Sequence, residues 1–125
     1  MVTQKFDKEQ NILFVDNSGR LEFEAMRTYF SSLKDYSDLG NYLFVLEDAR
    51  KVNVKFSSEH LDRLSKVLSK VAKEYEEVYH AVLLNERKNV AYATMINEGI
   101  SEPNYFLRVF SSYQIASDWV KNKPE

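Results

Sequence analysis

The two histidines, His60 and His80, are the side chains best suited to acid–base or metal chemistry at neutral pH, and they fall in different kinds of segment. His60 sits in the first turn of an expected helix, and His80 sits inside an apolar run that reads as a strand. Glu59 adjoins His60, but adjacent helical residues point apart, and neither histidine has ligand-type residues clustered at i+3 or i+4. No metal site is expected. His60 is expected to be solvated and His80 to pack or pair within a sheet. A serine nucleophile would call for GxSxG, and a phosphate cradle for GxxxxGK[ST] or GxGxxG. The three glycines, Gly19, Gly40 and Gly99, are too widely separated for any of these. Glu74, Glu76 and Glu77 gather carboxylates at a helix end with no apolar pocket implied around them, and read as solvated surface. Arg63, Lys66, Lys70 and Lys73 are diluted by Asp62 and Glu74, the polar side of a helix rather than a nucleic-acid surface. No catalytic set is assembled and no cofactor is implied, so a non-enzymatic binding role is expected.

Binding chemistry has better candidates. Asp48, Arg50, Ser57, Asn85, Glu86, Arg87, Ser111 and Ser112 are all expected just after the carboxyl ends of parallel strands, the edge where open α/β sheets usually take ligands. Asp48 and Arg50 could read an anion or a partner, or simply end a strand; with Asn85 and Ser111 they form the candidate partner or ligand edge. The aromatic content, eight Phe, eight Tyr and one Trp, is the one compositional excess. Trp119 and Phe110 are expected to anchor the last helix, while Phe14, Tyr42, Phe44 and Phe106 are candidates for a single aromatic face lining a pocket or interface.

Period and breakers define the elements that must position these groups. Val2, Gln4 and Phe6 alternate with polar residues, and Ile12 to Val15 is solidly apolar, which predicts a hairpin. Met26, Tyr29, Phe30 and Leu33 recur at helical spacing, closing near Gly40. Tyr42 to Leu46 reads as an interior strand. Leu61, Leu64, Leu68, Val71 and Tyr75 then mark the clearest helical stripe, with Ser57 and Ser58 as N-cap candidates. Tyr79 to Leu84 is another interior strand, and Asn85 is a candidate cap for a helix ending at Gly99. Tyr105 to Phe110 is the last strand, followed by a helix opened by a capping box of Ser111 and Gln114.

The order β-β-α-β-α-β-α-β-α predicts an α/β fold with a five-stranded mixed sheet, parallel except for the hairpin. The three central runs look buried on both faces, which places the first and last strands at the edges and gives the order 1-2-3-4-5. Right-handed crossovers marching one way put the helices mainly on one face. The opposite face is expected to be thinly covered, and so to serve as a partner surface, a homodimer seam or a ligand floor.

Composition agrees with one compact domain over residues 1–125: 44% of residues are hydrophobic, 29% are charged and the formal net charge is −2. A near-neutral chain has no field to gather nucleic acid or anionic lipid at long range. The absence of cysteine fits a reducing compartment. MVTQKFDKEQ lacks a signal core, and no apolar run approaches the roughly 18 residues of a membrane span, so a cytoplasmic location is expected.

Three segments carry a family resemblance: LEDAR at Leu46 to Arg50, FSSEHLDRL at Phe56 to Leu64, and RVFSSYQIASDWV at Arg108 to Val120. They resemble STAS-type domains, typified by bacterial anti-sigma-factor antagonists, and in particular small stand-alone STAS or SEC14-like domains. The resemblance spans nearly the whole chain as a pattern of elements. It implies a protein-binding regulatory module that contacts another protein or a second copy of itself, or alternatively a binder of a small apolar, lipid-like ligand. In the antagonists a serine at the start of the helix after the third strand is phosphorylated, and Ser57 and Ser58 occupy that place. The family's serine follows an aspartate and precedes a glycine, whereas Phe56 precedes Ser57 and Glu59 follows Ser58.

Overall fold

The computed structural model describes residues 1–122. Five strands form one sheet: β1 (Val2–Asp7), β2 (Ile12–Arg20), β3 (Tyr42–Asn53), β4 (Glu77–Leu83) and β5 (Tyr105–Phe110). Their order is β1-β2-β3-β4-β5, with β1 antiparallel to β2 and every other pair parallel. The helices are α1 (Phe23–Ser32), which runs into a 3-10 segment at Leu33–Leu39, then α2 (Ser58–Ala72), α3 (Arg87–Gly99) and α4 (Tyr113–Lys121). The predicted α/β class, strand order and connectivity are those observed. Among the described residues, no helix is long and apolar enough to cross a membrane.

Side-chain alternation divides the sheet into two faces. Leu13 and Val15, Leu43 and Val45, Val78 and Val82, and Tyr105 and Leu107 join Met26, Phe30, Leu64, Leu68, Ala93 and Ile96 of α1, α2 and α3 in the main core. The three crossover helices therefore share one face, as right-handed connections require. The second face is not bare. Ala116 and Val120 of α4 pack on Ile12, Leu46, Ala81 and Leu83, with Phe14, Phe44, Phe110 and Trp119 against them. Helix α4 follows β5 and, among the described residues, leads into no further strand, so crossover handedness does not choose its face. The apolar half of the second face does, because Leu46, Ala81 and Leu83 need a cover.

Several boundaries move. β3 continues seven residues past Leu46, because β2 also runs on to Arg20 and supplies partners as far as Arg20↔Asn53. Asp48 and Arg50 consequently lie within a strand rather than beyond its end. Glu86, not Asn85, is the N-cap of α3, and Ser112, not Ser111, caps α4 by accepting a hydrogen bond from the Ile115 N–H at 3.3 Å. Ser57 does cap α2.

Gly99 ends α3 against α2 at Ser65, whose hydroxyl is buried and donates to a backbone carbonyl, with those of Leu61 and Ile96 at 3.1 and 2.8 Å. A Cβ at Gly99 would meet Ser65 Oγ at 2.5 Å and Ser65 Cβ at 2.9 Å. Gly99→Ala should force the two helices apart and destabilise the domain by about 1–3 kcal/mol, the usual penalty of overpacking. Urea unfolding should show a lowered midpoint with an unchanged slope.

Candidate functional site

On the helix-covered face a chain of polar side chains crosses four strands. Asn17 of β2, Glu47 of β3, His80 of β4 and Tyr105 of β5 are all buried. The registers Val45↔His80 and Val78↔Tyr105 place each residue diagonal to the next, two positions back on the neighbouring strand. Diagonal neighbours on one face lie within reach of long side chains. Glu47 accepts three hydrogen bonds: from Tyr29 of α1 at 2.8 Å and His80 Nε2 at 2.7 Å on Oε1, and from Asn17 Nδ2 at 3.1 Å on Oε2. His80 Nδ1 lies 2.7 Å from the Tyr105 hydroxyl. The pattern closes when His80 carries its proton on Nε2 and donates that N–H in a hydrogen bond to Glu47, while Tyr105 donates to Nδ1.

Burial pushes the Glu47 carboxyl up, but the hydrogen bonds it accepts, from His80 first and then from Asn17 and Tyr29, more than offset it. The carboxyl is held below the ordinary glutamate range. Burial first, and the Glu47 charge second, push the Tyr29 and Tyr105 phenols well above theirs. Both therefore remain protonated.

Glu47 and His80 also form part of the wall of a cavity of about 60 Å³ between the sheet, α1 and α3. Its other walls are mostly apolar, among them Met26, Phe30, Val52, Val82 and Leu107, with Phe56 just before α2 and Tyr92 of α3. The small side chains of Ala49 and Ala93, on β3 and α3, help leave this volume open. Asn89, in the first turn of α3, supplies a further polar group to the wall. The chamber lies on the carboxyl side of the parallel strands, where ligands enter this class of sheet. Both His80 nitrogens are engaged within the network, Nε2 with Glu47 and Nδ1 with Tyr105.

The residues singled out from sequence are dispersed. Asp48 and Arg50 are on the second face and bind one another, Arg50 Nε to Oδ1 at 3.0 Å and Nη2 to Oδ2 at 2.8 Å. The hydrogen bonds from Arg50 hold Asp48 below its ordinary range. Their charges are spent on each other, not directed at an outside anion. Asn85 and Ser111 are exposed beyond β4 and β5 and line a shallow surface cleft with Arg87 and Val90. Ser57 accepts from the His60 N–H at 3.1 Å, and its own N–H donates to His60 Nδ1 at 3.2 Å, a reciprocal cap. Ser58 is exposed in the first turn of α2. His60 is not simply solvated: its ring stacks on Phe23 with centroids 4.4 Å apart and meets Phe56 edge-on. Phe14, Tyr42, Phe44 and Phe106 do share one face, where Phe44, Tyr79 and Phe106 stack in sequence beside Trp119.

Glu47 is the residue that sequence reasoning missed, because the pair Glu47-Asp48 reads as the exit of a strand. The signal was the apolar alternation on both sides of it: Leu43 and Val45 before, Ala49 after, all on the same face. Compared with family models, curated proteins and solved structures, the chain finds no match in any of the three.

The lowered pKa of Glu47 has a defined sign. The stabilisation it brings is complete above the unfolded-state value and is lost as pH falls through the folded-state value. At neutral pH, Glu47→Gln should cost about 2 kcal/mol, the scale of hydrogen bonds to a charged group. Denaturant titrations across the acid range should show the gap between the two proteins narrowing as the pH drops below the ordinary glutamate range.

Proposed function

We propose that this protein is a non-enzymatic binding module whose ligand is a small, largely apolar molecule held between the sheet and helices α1 and α3. The observation that carries the reading is the chamber itself, an apolar cavity on the carboxyl side of the parallel strands with the Glu47–His80 pair in its wall. Ligand sites are commonly apolar hollows with a few fixed polar groups. Further support comes from the closed bonding of Glu47 and His80, which holds that part of the wall in place, and from the SEC14-like side of the sequence resemblance. The chamber's size favours a compact molecule over a long acyl chain.

Titration with xenon and a panel of short alcohols, hydrocarbons and halocarbons tests the proposal. A ligand present at one hundred times its Kd should stabilise the fold by about 2.7 kcal/mol and raise the melting temperature by several degrees. Ala49→Leu, which extends a side chain into the chamber, should abolish the rise while leaving a folded protein. An equal rise in both proteins would place binding elsewhere.

A second reading, contact with another copy of the chain, is favoured by the start of α4. There Ile115 and Tyr113 are 60% and 46% exposed, beside a cleft lined by Phe14 and Leu46. Sedimentation equilibrium should then show a dimer that Ile115→Asp dissociates at least tenfold more readily; a monomer at high concentration would reject this reading.

A further inference from the structure

Two buried side-chain atoms among the described residues have no hydrogen-bond partner, Asn17 Oδ1 and Asn89 Oδ1. Only Asn89 lines the chamber, and it is 5% exposed. Its Nδ2 donates to the Val52 carbonyl at a long 3.5 Å. This orientation turns the amide nitrogen toward the strand and leaves the oxygen without a partner. Native proteins leave few buried acceptors unpaired, because each carries an uncompensated desolvation penalty that an incoming donor removes.

The remaining polar groups of the wall narrow the chemistry further. Both Glu47 oxygens and both His80 nitrogens already have partners within the network, whereas Asn89 Oδ1 has none. The Glu47 carboxylate opposes an anion placed in the same apolar space. The Tyr92 hydroxyl accepts the Phe56 N–H at 3.1 Å and is held where the chain enters α2. Asn89 Oδ1 is the one buried acceptor of the wall, among the described residues, that has no donor.

We propose, resting on the chamber being the ligand site, that its ligand is a compact neutral molecule with an apolar skeleton and one hydroxyl-type donor that bonds to Asn89 Oδ1. Asn89 is then the specificity-determining residue. The volume of about 60 Å³ is well below the roughly 150 Å³ of an engineered cavity that takes benzene, so the skeleton is short and branched rather than a ring. A site built to pair a hydroxyl discriminates strongly against the analogue that lacks it, because its own polar group is then left unpaired.

Isopropanol and acetone have the same heavy-atom skeleton and differ in the donor, and xenon has neither donor nor acceptor. Methyl NMR titrations following Ala49, Val52, Val82 and Ala93 should show all three entering the wild-type chamber, with isopropanol bound at least tenfold more tightly than acetone. Asn89→Leu should still take up xenon and lose the tenfold preference. Equal affinity for alcohol and ketone in the wild type, with xenon bound, would overturn the donor assignment and leave the chamber reading standing. Failure of all three probes to shift the wild-type methyls would overturn the chamber reading, and this inference with it. The wild-type comparison decides the matter even if Asn89→Leu does not fold.

Discussion

A single buried carboxylate ties this fold together. Glu47 stands in the middle of the central strand, and its three donors come from β2, from β4 and from α1. An ionised group in a protein interior is costly unless its lone pairs are met, and removing any one donor leaves the charge partly uncompensated. The arrangement therefore constrains its surroundings. The β2–β3 and β3–β4 registers must hold the diagonal spacing, and α1 must sit at the height that brings the Tyr29 hydroxyl to Oε1. The register irregularity between Asp16 and Ser18 falls at Asn17, the donor on β2. His80 passes the connection to Tyr105, so all four parallel strands are linked through side chains as well as through their backbones.

The same network shapes the chamber beside it. Apolar packing could have filled the space between the sheet and α3, but the polar row occupies part of the sheet surface, and Ala49 and Ala93 keep the opposing walls short. What results is an apolar hollow with a polar wall whose bonds are already used, and one amide oxygen that is not. Rigidity follows from the bonding: the residues of the network cannot turn toward a ligand without breaking contacts to one another. The second face of the sheet is organised differently, with α4 seated over Ile12, Leu46, Ala81 and Leu83. A stacked aromatic row of Phe44, Tyr79 and Phe106 lies beside it, bordered by Trp119.

Local signals account for much of this. The helical stripe from Leu61 to Tyr75, the Ser57 cap and the apolar runs of β2, β3 and β4 all stand where period and propensity put them, because burial repeats on the same period as the backbone. The cap of α4 was displaced by one residue, since Ser111 and Ser112 are equivalent in sequence and only the backbone at the end of β5 distinguishes them. The end of β3 lies beyond the apolar run for a stronger reason. Charged residues ordinarily signal solvent, and Glu47 reverses that rule only because Tyr29, Asn17 and His80, distant in sequence, converge on it.

Periodicity and the placement of breakers thus determined the class of the fold, the strand order and the side taken by the three crossover helices, since each follows from local pattern and chain handedness. Tertiary structure alone decided that α4 covers the second face, that Asp48 and Arg50 satisfy one another, and that Glu47, His80 and Asn89 meet around one hollow. Those outcomes depend on contacts between residues from 2 positions apart, Asp48 and Arg50, to 104 apart, Ile12 and Ala116. Hydrogen-bond geometry is specified in space, and no spacing along the chain encodes it.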